Sequence, residues 1–305
     1  MKVAVAKYAI QAPADFINFA ARQADVLADA AAQGARIAVL PEYLSLELAA
    51  TFDTATQADL HASLAAIQRY RDDWLALYAR LAKELDLHIV AASFLLAQGA
   101  GRYRNRSDVF TPQGAHAWQD KLQLTGFEKG LGVIDGGDAL KVFDLDGVRS
   151  GVSVCYDSEF PLPVRAQAEA GARLLLGPSC TDTDAGATRV RIGCLARALE
   201  NRMVGAQPGA ARGAPWSPAL DLNTGEAAIF APMDRGLPAD GVVVQTTGDQ
   251  VWAIADLDLD ALDRSRADAQ VANGRESAGQ MQPALERARV ERLNLAANPL
   301  CVPSL

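Results

Sequence analysis

The sequence predicts a layered α/β fold on a substantially parallel sheet, and three observations carry that expectation. Short apolar runs alternate with segments of helical periodicity, and the first alternation, residues 3–40, has the make-up of one βαβ unit. Three reactive side chains, Glu42, Lys121 and Cys155, each stand just past an extended run. That is where an open α/β sheet presents its chemistry.

A strand is expected over residues 3–6. Phe16, Ala20, Leu27 and Ala31 then recur at helical spacing up to Gly34, a stop signal, and residues 36–40 read as a buried strand. Leu60, Leu64, Ile67, Trp74, Tyr78, Leu81 and Leu85 fall in helical register and predict one long helix, with the next strand over residues 88–94. Residues 103–111 and 115–121 flank Pro112-Gln113-Gly114 as a hairpin. Its alternating Arg102, Arg104 and Arg106 suit either carboxylate recognition or a solvated or intersubunit face.

After Gly136-Gly137 the pattern resumes with strands at 141–145 and 147–154, a helix at 163–170 stopped by Gly171, a strand at 173–177, a helix at 189–201 and a strand at 203–207. A second hairpin is expected to turn at Asn223-Thr224-Gly225 and return over 227–230, followed by extended segments at 242–245 and 251–256. No linker or change of composition divides the chain, so residues 1–265 read as one domain. Residues 266–305 are polar and arginine-rich, with a helix expected over 284–295, and read as an arm packing on a neighbouring subunit.

Half of the 305 residues are hydrophobic, enough for a sizeable core. The net charge of −8 argues against nucleic acid or an anionic membrane as partner and points to a small molecule. Lys7 and Asp15 interrupt the N-terminal apolar alternation before it reaches the length of a signal peptide or membrane span, and a cytoplasmic protein is expected. Cys155, Cys180, Cys194 and Cys301 show neither C-x-x-C spacing nor disulfide density, which fits a reducing compartment and leaves thiol chemistry available.

A thiol is a strong nucleophile only as thiolate, so something must take its proton. A carboxylate such as Glu42 is a poor base for it in water, where a gap of roughly four pKa units costs about 5–6 kcal/mol. Burial would raise the carboxylate, and the Lys121 ammonium would stabilise both the thiolate and the oxyanion formed on attack at a carbonyl. Glu128 would keep Lys121 charged and oriented. Such a set suits acyl transfer through a thioester and needs no metal or organic cofactor.

Other chemistries lack support. His61, His88 and His116 have no ligand spacing and offer no obvious cysteine partner. Gly130-Leu131-Gly132 misses the dinucleotide fingerprint because Asp135 stands at its third glycine, and Gly151-Val152-Ser153-Val154-Cys155 fails the serine-hydrolase elbow at its last position.

The runs LPEYLSLE around Glu42, DKLQLTGFEKG around Lys121 and Glu128, SVCYDSEFP around Cys155, and ARALEN over 196–201 resemble, in this order, the nitrilase (carbon-nitrogen hydrolase) superfamily. Later, AAIFAPMDRGLPADGVVV and IADLDLDALDRSR resemble its closing hairpin and its final strand and helix. The resemblance covers most of the chain. It implies a four-layer αββα sandwich, assembled as a homodimer or higher homo-oligomer, with Glu42 as base, Lys121 as oxyanion-stabilising cation, Cys155 as nucleophile and Glu128 as the recurrent fourth member. It also implies the Tyr156 backbone N–H as oxyanion donor.

The CYD run is more similar to the amidase branches than to nitrilases proper, which carry Trp and Glu after the cysteine, so an amide is expected over a nitrile. Two departures bear on specificity: Leu162-Pro163 replaces an acid-containing sequence, and Pro178-Ser179-Cys180-Thr181 lacks a frequent aromatic. Candidate substrate contacts are Tyr156, Glu159, Ser179 and Cys180. Asp157 and Glu159 suit either a cationic substrate or local backbone N–H groups. The expected activity is cleavage of a small amide through a thioester on Cys155, releasing ammonia or an amine. Its alternatives are an N-carbamoyl amide hydrolase or nitrilase with the same residues, acyl transfer to an amine, and a catalytically silent binding scaffold.

Overall fold

A computed structural model describes residues 1–265 and 268–277. Its elements are, in chain order, β1 (Lys2–Ala9), α1 (Phe16–Ala32), β2 (Ile37–Val39), α2 (Thr54–Ala58), α3 (Leu60–Ile67), α4 (Arg71–Glu84), β3 (His88–Val90), β4 (Phe94–Gly99), β5 (Arg102–Phe110), β6 (His116–Asp120), α5 (Gly126–Leu131) and β7 (Ile134–Asp135). There follow β8 (Val142–Leu145), β9 (Val148–Val152), α6 (Pro161–Glu169), β10 (Leu174–Leu176), α7 (Asp184–Asn201), β11 (Val204–Gln207), β12 (Gly209–Ala211), β13 (Ala228–Phe230), β14 (Val242–Gln245), β15 (Trp252–Asp256), α8 (Leu259–Arg264) and α9 (Asn273–Glu276).

The strands form two sheets. The first runs β12-β1-β2-β3-β5-β4, with β15 also on β1 and with β6 and β7 also on β5; the second runs β14-β13-β11-β10-β9-β8. Side chains alternate across a strand, and this separates the layers. Ala4, Ala6 and Tyr8 share a core with Phe19 and Leu27 of α1 and with Trp74 and Tyr78 of α4. Val3, Val5, Ile37 and Val39 point the other way, into a core shared with Val152, Leu174, Leu176 and Val204 of the second sheet. Behind that sheet, Leu175 and Met203 meet Val164 of α6. The order is therefore helix, sheet, sheet, helix, as the resemblance implied.

Four details depart from that expectation. The inward face of α1 carries Phe19, Gln23, Val26, Leu27 and Ala30, while Phe16, Ala20 and Ala31 are only partly buried. The single long helix is broken at Gln68–Tyr70. There the Gln68 side chain donates to Leu64 O and Leu95 O and accepts from Ala97 N, so it is tied to β4 and bends the helical path. The strand expected over 88–94 stops at Val90, where Ala92 takes a left-handed φ of 53° and Ser93 Oγ accepts from Tyr43 N.

The expected hairpin at Asn223-Thr224-Gly225 is absent as such. Residues 209–211 leave the second sheet and pair with β1 instead, and β13 returns antiparallel to β11 only after a long excursion. The helix expected over 284–295 lies outside the described residues, as does Cys301. Among the described residues no helix is long and apolar enough to cross a membrane.

Candidate active site

Three strand ends deliver the reactive groups. β2 stops before Pro41, and Tyr43, at φ 65°, turns the chain sharply into a short 3-10 helix at Leu44–Thr51, leaving Glu42 buried at the bend. Lys121 follows β6, its N–H bonded to Asn105 O and its carbonyl accepting from Gly137 N. Gly137 approaches so closely that a Cβ would meet Asp120 at 2.9 Å, which is why a glycine stands there. Glu128 occupies the third position of α5, where it and Thr125 form a reciprocal capping box. Cys155 follows β9 as the first residue of a 3-10 turn, Cys155–Glu159, with a left-handed φ of 48° and its N–H bonded to Pro178 O at 2.8 Å.

These four residues converge. Lys121 Nζ stands 2.8 Å from Glu42 Oε1 and 2.8 Å from Glu128 Oε2, with all three side chains at most 1% exposed. Burial works to lower the Lys121 pKa, but the two carboxylates outweigh it and hold the ammonium charged. Glu128 keeps its charge as well. Burial works to raise its pKa, but Lys121, Thr125 N–H and the Tyr43 hydroxyl bring it below the usual carboxylate range. Glu42 is raised, chiefly by burial, with Lys121 opposing and Glu128 reinforcing. Of two acids sharing one cation, the environment thus makes Glu42 the better proton acceptor.

Cys155 Sγ is 3.5 Å from the Cys180 carbonyl, and it lines the same cavity as Glu42 and Lys121. Burial and the Glu42 charge push its pKa up, more than Lys121 lowers it. The ammonium acts on the thiol in the direction expected from the sequence, but burial and the neighbouring acid outweigh it and favour the protonated thiol.

A cavity of about 470 Å³ opens over these groups and is lined by Glu42, Tyr43, Lys121, Cys155 and Cys180, with Phe127, Arg189 and Leu222 among its outer residues. Cys180 is the one candidate substrate contact whose side chain reaches it. The Tyr156 ring packs edge-on against Phe160. Glu159 stands 3.6 Å from Arg189, and Ser179 turns inward to donate to Gly177 O.

Sequence reasoning missed Asn105, whose buried Nδ2 donates to Glu42 Oε1 at 2.8 Å and to Glu128 Oε1 at 3.1 Å. The alternation of Arg102, Arg104 and Arg106 held the signal, since it assigns Asn105 to the opposite strand face. Those arginines pair with Asp135, Asp120 and Asp138 within the chain. Asp157 takes the backbone role: its carboxylate accepts from Leu122 N, Gln123 N and Val154 N, joining the Lys121 segment to the cysteine turn. Burial nevertheless pushes its pKa up to about 6.

A family model described as carbon-nitrogen hydrolase matches residues 2–217. YhcX of Bacillus subtilis, described as a probable hydrolase, is 30% identical over 258 residues, covering 84% of this chain but 49% of YhcX, so the match spans about half the length of that relative. The omega-amidase NIT2-A of Xenopus laevis is 23% identical over 249 residues, covering 79% of this chain and 83% of that protein. Among solved structures, Saccharomyces cerevisiae Nit3, a member of branch 10 of the nitrilase superfamily, aligns with a TM-score of 0.71 at 19% identity, over 90% of this chain and 96% of its own. That likeness concerns the fold.

Proposed function

Since the chain belongs to the carbon-nitrogen hydrolase family, we propose that it is a hydrolase of non-peptide carbon-nitrogen bonds and cleaves a small amide through a thioester on Cys155. The observation that carries this reading is Lys121 Nζ, bound at 2.8 Å by both Glu42 and Glu128 on the floor of the cavity that Cys155 lines.

In the proposed reaction Glu42 takes the thiol proton as Sγ attacks the amide carbon. The charge is relocated within the buried cluster, so no new charge has to be created in a poorly solvated site. The oxygen of the attacked carbonyl meets Lys121 and the Tyr156 N–H, one of the first amides of a helical turn and so without an internal partner. Collapse of the tetrahedral adduct returns the proton through Glu42 to the departing amine, leaving the thioester. Water, deprotonated by Glu42, then releases the acid and restores the thiol. The exposed Phe127 and Leu222 at the cavity rim support an acyl group with an apolar portion.

The test is ammonia release from a panel of amides, N-carbamoyl compounds and nitriles, with intact mass measured during turnover. A hydrolysed amide and an acyl adduct on Cys155 are expected. Cys155→Ala should abolish turnover by at least about 10⁴-fold while leaving the melting temperature nearly unchanged, because the substitution is small and the thiol's hydrogen bond, to Cys180 O at 3.5 Å, is weak. Undiminished amide hydrolysis by that variant would refute the assignment. Carbon dioxide accompanying the ammonia would identify an N-carbamoyl substrate instead.

A further inference from the structure

A second cavity, of about 560 Å³, lies across a thin wall from the catalytic one. Gln207, at the end of β11, lines it at 5% exposure, and its Oε1 has no hydrogen-bond partner; Thr224 Oγ1, on the same wall, also has none. Buried polar atoms are nearly always satisfied, and leaving one bare costs about 1–3 kcal/mol. Gln207 Oε1 accepts, Thr224 Oγ1 can accept or donate, and both belong to residues that line a roomy polar space. The surrounding charges favour an anion, since Lys7, Arg191 and Arg212 outnumber Asp184 and Glu226 in a chain that is acidic as a whole. Lys7 and Glu226 neutralise each other at 2.5 Å. Arg191 commits one nitrogen to Gln245 and lies over the Phe230 ring, which leaves further guanidinium N–H groups, and Arg212 is exposed.

We propose that this cavity is a second small-molecule site, taking a compound that joins a carboxylate to an N–H or O–H donor, and that it communicates with the catalytic cysteine. Arg191 and Arg212 receive the carboxylate, and the donor meets Gln207 Oε1 and Thr224 Oγ1. The wall supplies the communication. Asn223 faces the second cavity, and its Oδ1 accepts from Cys180 Sγ at 3.1 Å; Cys180 faces the first, donates its N–H to Glu42 Oε2 at 3.2 Å, and offers its carbonyl to Cys155 Sγ. Thr181 and Thr224 clamp the same two segments through Thr224 N to Thr181 O and Thr181 Oγ1 to Thr224 O. A ligand that shifts Asn223 therefore shifts the peptide on which both Glu42 and Cys155 rest.

The binding claim stands apart from the proposed hydrolysis, and the test keeps the two apart. L-glutamate, L-glutamine and glycyl-L-glutamate are titrated calorimetrically into the full chain carrying Cys155→Ser, in which turnover is blocked. At least one is expected to bind with a Kd below about 1 mM, and Gln207→Leu in that background to weaken it by at least about tenfold. Arg212→Asn is a second probe: it is exposed, and asparagine tolerates the φ of 61°. It should weaken the same ligand by at least about threefold. In the parent protein the bound probe should change the rate of Cys155 alkylation by iodoacetamide at least about twofold, and this effect should vanish in Gln207→Leu. Failure of all three probes to bind, or binding that neither substitution alters, overturns the site. Binding that leaves alkylation unchanged overturns the communication.

Discussion

Lys121→Met removes the cation that two buried carboxylates share while keeping an apolar side chain of similar length. Nζ lies 2.8 Å from an oxygen of each acid, and none of the three side chains exceeds 1% exposure, so water cannot substitute for the lost charge. Breaking a buried ion pair from one side costs about 3–5 kcal/mol. Two adjacent acids in a dry site cannot both stay ionised, so at least one must bind a proton, and its folded pKa rises above the unfolded value near 4.3. An acid raised in this way contributes stability that is present below the unfolded pKa and lost as pH climbs through the folded one, at about 1.4 kcal/mol per unit of separation. Urea unfolding should therefore find the variant weaker by about 3–5 kcal/mol at pH 8 and by clearly less at pH 5. An equal deficit at both pH values, or a variant as stable as its parent, would refute the view of Lys121 as the shared counter-charge.

Two further outcomes follow from buried polar groups. Asn105→Ala removes both Nδ2 hydrogen bonds to Glu42 and Glu128, each worth about 1.5–3 kcal/mol to a charged acceptor, so urea unfolding should show a loss of about 3 kcal/mol or more and kcat/KM should fall at least tenfold. Parent-like values of both would remove Asn105 from the site's framework. Glu47, pushed up to about 8 by burial despite hydrogen bonds from Gln11 N and Tyr8 OH, contributes stability below about pH 4.5 that is lost through about pH 8, up to roughly 5 kcal/mol. Glu47→Gln should flatten the melting temperature across pH 5–9 and raise it at the alkaline end; an unchanged profile would show that Glu47 does not titrate in that window.

What could be read from the residues divides along physical lines. Glu42 and Cys155 were legible because each follows an apolar, strand-like run, and Lys121 because it ends a short extended stretch and completes the set of residue types that a thiol without a histidine partner needs. The layer order was implied by the resemblance alone, although the alternation of Val3 and Val5 against Ala4 and Ala6 is what builds it. Asn105 was half-legible: parity set it opposite the arginines, but an amide does not announce a buried face. The helix break at Gln68 was not legible, because its cause is a carbonyl of Leu95, 27 residues away, that no local propensity reflects. Arg189 and Leu222 escaped for the same reason, since a cavity wall assembled from one helix and a distant loop has no common period.

The backbone at Cys155 joins these levels. A non-glycine residue at φ 48° sits in a sparsely populated region at a cost of about 1–3 kcal/mol, so the neighbours of Cys155 must over-determine it. They do so from three sides: Pro178 O takes its N–H, Ser158 Oγ donates to its carbonyl at 2.7 Å, and Asp157 closes the turn onto Val154 N. Asp157 also grips Leu122 N and Gln123 N, so the constraint that bends the cysteine turn is the one that places the segment after Lys121. Thiol and ammonium therefore belong to a single rigid unit even though they come from different sheets. Tyr43, at φ 65° beside Glu42, repeats the device on the third reactive residue. A loop at any of these points could relax away from the others. A turn held against its own preference cannot, and under the proposed mechanism that is what keeps the Cys155 thiol beside the acid that takes its proton.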